Sequence, residues 1–161
     1  MSKPMGHMEI DLANEDATLR LGARIASAVK PGLKIYLSGE LGAGKTTLVR
    51  GLLRALGHPG RVKSPTYALV EPYALSRLDL YHFDFYRLKD RSEWLSSGFR
   101  EYFNPATLCV VEWPERAGDG LPPPDLDIRL SYEGEARCAA LEARSPAGNA
   151  WLASALSRWR S

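Results

Sequence analysis

The chain has 161 residues, 21 of them basic and 19 acidic, for a net charge of +2. That length suits one domain able to bury about two-thirds of its unfolded surface without disulfides. Hydrophobic residues at 45% and charged residues at 25% argue against disorder away from the ends, and the near balance of sign gives no case for a broad nucleic-acid-binding face.

Cys109 and Cys138, the only cysteines, lie far apart without a C-x-x-C partner and read as reduced core thiols. No apolar run approaches the about 18 residues of a membrane span, and the N-terminus lacks the pattern of a signal peptide. A cytoplasmic protein with no membrane partner is the expectation.

Residues 1–7 show neither helical nor strand pattern and are expected to form a disordered tail. Met8 to Leu12 alternates apolar and polar residues, as a short edge strand does. Asn14 is a good N-cap, with Glu15 and Asp16 in the first helical turn. Ala17, Leu21, Ile25 and Val29 then recur every four residues and predict an amphipathic helix ending before Pro31-Gly32.

The apolar run Leu33 to Leu37 leads into Gly39-Glu40-Leu41-Gly42-Ala43-Gly44-Lys45-Thr46, which satisfies G-x-x-x-x-G-K-[ST]. Glycines let the backbone N–H groups close on a nucleotide's phosphates, and Lys45 to Leu56 predicts a helix whose positive end faces the same anion. Lys45 should reach the β- and γ-phosphates of a nucleotide, and the Thr46 hydroxyl is placed to ligate Mg²⁺.

Beyond the turn Gly57 to Gly60, Val62 to Tyr67 enters two β-rich runs, Ala68 to Tyr73 and Leu78 to Phe85, that read as an antiparallel hairpin and make the sheet mixed. Period-two alternation puts Leu80, His82 and Asp84 on one side of the second run, and Tyr81, Phe83 and Phe85 on the other. Arg91 to Tyr102 reads as one or two short helices broken at Gly98. Thr107 to Glu112 is a nearly continuous apolar run closed by an acid, the pattern of a buried central strand. A loop from Arg116 to Pro124, a second hairpin (Asp125 to Tyr132, Arg137 to Ala143) and a helix from Gly148 to Arg160 close the chain.

A P-loop that turns over nucleotide needs a carboxylate at the end of a neighbouring strand. Glu112 and Asp84 both qualify, and the alternative for Asp84 is a pair with Arg87 on an exposed strand end. Ser64-Pro65-Thr66 has the chemistry of a switch, two hydroxyls about a rigid proline, and is equally an ordinary strand-entry turn. His82 reads more readily as a packed strand residue than as a ligand or base. Trp113 either covers the nucleotide or packs.

Four blocks, Leu41 to Thr47, Val62 to Tyr67, His82 to Arg87 and Val111 to Glu115, in this order and spacing resemble the TsaE (YjeE) family of small bacterial P-loop ATPases needed for threonylcarbamoyladenosine modification of tRNA. The resemblance covers nearly the whole chain. It implies a single P-loop NTPase domain over residues 1–161, α/β with a mixed sheet flanked by helices, acting with TsaB and TsaD and meeting tRNA indirectly through that complex.

Carried over by position, Leu41, Gly42, Ala43, Gly44, Lys45, Thr46 and Thr47 hold ATP or ADP, and Thr66 belongs to the switch. Thr46 and Glu112 serve Mg²⁺. Glu112, Asp84 and Lys45 carry catalysis, and Glu15 is a candidate adenine contact. Two other classes compete. A small-molecule kinase would share the P-loop but need an arginine-rich lid, for which only Arg87-Leu88-Lys89-Asp90-Arg91 offers itself. A nucleotide-gated binding module would have altered partner affinity as its output.

Overall fold

The computed structural model describes residues 6–63, 65, 68–96, 98–157 and 159. Ser64 and Thr66 of the expected switch, Tyr67, and residues 1–5 of the expected tail lie outside the described residues. Seven strands form one sheet in the order β1-β7-β6-β2-β5-β4-β3. They are β1 His7–Leu12, β2 Lys34–Gly39, β3 Val70–Ala74, β4 Asp79–Asp84, β5 Thr107–Glu112, β6 Leu126–Glu133 and β7 Ala136–Ala143. The helices are α1 Glu15–Ala26, α2 Lys45–Ala55, α3 Arg91–Ser96 and α4 Pro146–Leu156.

The sheet is mixed, as expected. β6, β2, β5 and β4 run parallel, while the β3–β4 and β6–β7 hairpins and the β1–β7 edge are antiparallel. β1 starts at His7, and Gly6 donates its N–H to Asn149 Oδ1 at 2.6 Å, so the ordered fold begins inside the segment expected as a tail. Residues 114–120 form 3₁₀ turns where a plain loop was expected, entered through Pro114 at a position that needs no N–H. Three hydrogen bonds hold the proline run in place. The Tyr36 hydroxyl donates to Pro122 O, Asp125 N–H to Lys34 O, and Lys34 N–H to the Asp125 carboxylate.

Period-two alternation sorts the strand side chains into two cores. Ile35, Leu37, Leu80 and Val110 face α1, α2 and α4, and Tyr36, Phe83, Phe85 and Val111 join an aromatic core with Trp94, Phe99 and Phe103. Each fully buried side chain of this size contributes about 1.5–3 kcal/mol. α1 starts on Asn14, whose Oδ1 accepts from Ala17 N–H at 3.0 Å. The helix closes at Ala26, one turn before Val29, which still packs in the core.

α1 and α2 touch backbone to backbone. A Cβ built on Gly22 would stand 2.3 Å from Leu48 O, and one on Gly51 would stand 2.2 Å from Leu19 O. The two cysteines are free thiols, but only Cys109 is a core residue; Cys138 on β7 is half-buried.

Candidate active site

The cleft opens where the parallel strands end. Gly39 closes β2 at φ +139°, with Leu130 O so near that a Cβ would lie 2.3 Å from it; only glycine fits there. The loop then turns through Gly42 and Gly44, and Gly44 caps α2. Leu41 is exposed, whereas Ala43 is fully buried beneath the loop. Tyr132 at the end of β6 donates its hydroxyl to Leu41 O at 2.9 Å, tying the loop to the β6–β7 hairpin.

Lys45 is 4% exposed and donates through Nζ to Gly39 O at 2.6 Å and Glu40 O at 3.1 Å. Nζ also stands 4.4 Å from the Trp113 ring centroid, a cation–π arrangement. Burial lowers its pKa, and Glu112, Asp84 and Glu115 act in the opposite direction.

Register explains why the acids converge. Leu37 of β2 pairs with Glu112 of β5, and Glu112 with Asp84 of β4, so both carboxylates sit at the strand ends level with the loop. Glu112 is 3% exposed, with its two oxygens 3.3 and 3.5 Å from Thr46 Oγ1. Its Oε2 is also 2.6 Å from His82 Nε2. Asp84 is buried as well, contrary to the exposed-end alternative, and accepts a hydrogen bond from Tyr86 N–H at 3.0 Å. Its pKa is raised, first by burial and then by the Glu112 carboxylate, against the Tyr86 N–H, His82 and Lys45.

Trp113 follows Glu112 in the left-handed region at φ 57°, ψ 50°, a conformation that costs a non-glycine residue about 1–3 kcal/mol. Its N–H donates to Leu37 O at 3.2 Å, and the turn swings the indole against Lys45 and Tyr86. The indole is therefore packed against the loop lysine and Tyr86.

The resulting cleft of about 370 Å³ is lined by Leu41, Gly42, Gly44, Lys45, Thr46 and Thr47 on one side. Asp84, Tyr86, Arg87, Glu112 and Trp113 form the other wall. On the far side of the loop a recess of about 200 Å³ meets Glu15, Thr18, Ala43, Thr47 and Arg137. Glu15 thus stands beside the phosphate loop, where it pairs with Arg50 at 3.6 Å.

Tyr86, Tyr132 and Arg137 were not singled out from sequence. Tyr86 falls within the block that carries Asp84, which was its available signal; nothing local marks Tyr132 or Arg137, which reach the loop only through strand pairing. The candidate kinase lid is tied down. Leu88 is buried in the aromatic core, its N–H bonded to Phe85 O at 3.0 Å, and α3 starts at once after Asp90.

A glycine loop between a strand and a helix, with acids at the ends of neighbouring parallel strands, places the chain among P-loop nucleotide hydrolases. The family model "Threonylcarbamoyl adenosine biosynthesis protein TsaE" matches residues 12–139, a span that holds all four diagnostic blocks. The chain belongs to the TsaE family of P-loop ATPases and is an ATP-hydrolysing enzyme.

The tRNA threonylcarbamoyladenosine biosynthesis protein TsaE of Haemophilus influenzae is 42% identical over 142 residues, covering 85% of this chain and 90% of that protein. The protein of the same name from Bacillus subtilis is 38% identical over 122 residues, 76% of each. The crystal structure of Bacillus subtilis YdiB matches with a TM-score of 0.82 at 27% identity, covering 97% of this chain and 98% of that one. Among the described residues no helix is long and apolar enough to cross a membrane.

Proposed function

We propose that the chain is a cytoplasmic, Mg²⁺-dependent ATPase whose turnover supports the TsaB- and TsaD-dependent threonylcarbamoylation of the tRNA adenosine next to the anticodon. It meets tRNA through that complex. The observation that carries the site reading is the meeting of Thr46 and Glu112, 66 residues apart in sequence, at 3.3 Å beside buried Lys45 and Asp84.

The donor set fits the metal. A hydroxyl and two neighbouring carboxylates are hard oxygen ligands, and the raised pKa of Asp84 is the strain that a divalent cation relieves. Thr46 and Glu112 would hold Mg²⁺, which supplies neutralisation of phosphate charge when bound.

The backbone N–H groups of Leu41 to Thr46 grip the phosphates, and Thr47 continues the same helix turn. Lys45 exchanges its bonds to Gly39 O and Glu40 O for the β- and γ-phosphates. Glu112 and Asp84 orient the attacking water. Water adds to the γ-phosphorus, the bond to the β-phosphate oxygen breaks, and ADP and phosphate leave. Glu15 lies on the base side of the loop.

The test is steady-state ATP hydrolysis with Mg²⁺ by the chain alone, with TsaB and TsaD, and with a panel of metabolite acceptors. Slow turnover that rises with the two proteins and yields free phosphate is expected. Phosphate recovered on a metabolite would make the chain a kinase and overturn this reading.

A further inference from the structure

The most buried polar group beside the cleft does not line it. His82 is fully buried in the middle of β4, with Glu71 of β3 on one flank and Val110 of β5 on the other. Its Nε2 stands 2.6 Å from Glu112 Oε2, and its Nδ1 has no hydrogen-bond partner among the described residues. An ionised carboxylate can only accept, so the hydrogen between the two groups is the one on Nε2.

A glutamate stem has three rotatable bonds, so the direction of its carboxylate is set by whatever bonds it. Thr46 Oγ1 offers only the longer contacts of 3.3 and 3.5 Å, and Thr46 is itself needed at the metal. The His82 ring is packed within the sheet and supplies the short bond. It holds Oε2, which also lies 3.3 Å from Thr46 Oγ1, and among the described residues Oε1 has one hydrogen-bond partner, the same hydroxyl at 3.5 Å.

We propose that His82 is a positioning residue for ATP hydrolysis, its Nε2–H clamping Oε2 of Glu112 so that the carboxylate stays facing the Thr46 hydroxyl. This rests on the reading of Glu112 as the acid that serves the metal and the attacking water. His82 touches neither nucleotide nor metal. It acts by removing the rotational freedom of Glu112, so it should govern turnover and leave nucleotide binding to the P-loop.

Two amides of different reach test this. Gln places a donor close to the position of the imidazole Nε2, whereas Asn ends near Nδ1 and falls short of Glu112. His82→Asn should lower kcat by about 10–100-fold with little change in KM for Mg-ATP or in affinity for Mg-ADP, and His82→Gln should restore most of the rate. His82→Leu, which carries no donor, repeats the comparison if the Asn variant does not fold. In a Glu112→Gln background, already slow, His82→Asn should bring no further loss.

A His82→Asn kcat within about twofold of the parent, beside a slow Glu112→Gln, would remove His82 alone from the mechanism. A His82→Gln variant as slow as His82→Asn, or losses that multiply in the double variant, would overturn the clamp. Full turnover by Glu112→Gln would overturn the reading of Glu112 itself, and the clamp with it.

Discussion

Asp84 holds its carboxyl where both burial and the Glu112 carboxylate disfavour charge. Its folded pKa lies above its unfolded one, so between the two the folded state binds more protons. Stability therefore falls as pH rises through that window, and the charged acid still lowers stability at neutral pH. Asp84→Asn should raise the melting temperature at pH 7, with the difference from the parent shrinking toward zero as pH drops below about 4. The same variant should hydrolyse ATP more slowly. Thermal melts across pH, set beside a rate assay, check both halves; a lower melting temperature at pH 7 would count against the sign argued here.

Lys45 and Glu112 separate binding from turnover. Lys45→Ala removes a charged donor worth about 1.5–3 kcal/mol and should weaken Mg-ATP binding by about 10–100-fold. Glu112→Ala should leave much of the binding intact and slow turnover by about 100-fold or more. Equilibrium titration and single-turnover kinetics on the two variants distinguish the effects.

Between elements, the α1–α2 crossing leaves no room for added volume. Gly51→Ala sets a methyl group against the Leu19 carbonyl and should cost about 1–3 kcal/mol or more. Because α2 begins with Lys45 and Thr46, the same change should also reduce ATPase activity, measurable on protein still folded at low temperature.

Element types were largely readable from the chain. Asn14 announced α1, the glycine loop announced α2, and the apolar run from Thr107 marked β5 as buried on every residue. The order of strands was not readable, because no local signal says that β5 lies between β2 and β4. That order brings Asp84, Glu112 and Thr46 together, so the acids could be nominated one by one from strand ends while the His82–Glu112 bond stayed hidden. The 3₁₀ turns over residues 114–120 were not readable because Pro122, Pro123 and Pro124 mark the whole stretch from Arg116 as loop.

For the whole molecule, nucleotide binding and folding are linked. Mg-ADP at about 100 times its dissociation constant should stabilise the chain by about 2.7 kcal/mol, which for a protein of this size is a rise of roughly 5–11 °C in melting temperature. Lys45→Ala, bound about 10–100-fold more weakly, should show about half of that rise or less at the same nucleotide concentration.

The glycine crossing of α1 and α2 also decides where a nucleotide signal can emerge. With Gly22 and Gly51 leaving no gap between the two backbones, α1, which starts at Glu15, and α2, which starts at Lys45, are packed as one unit. Exchange of ATP for ADP has no slack to exploit there. Tyr86, Arg87 and Trp113, on the segments leaving β4 and β5, line the opposite wall of the cleft and lie outside that helix pair.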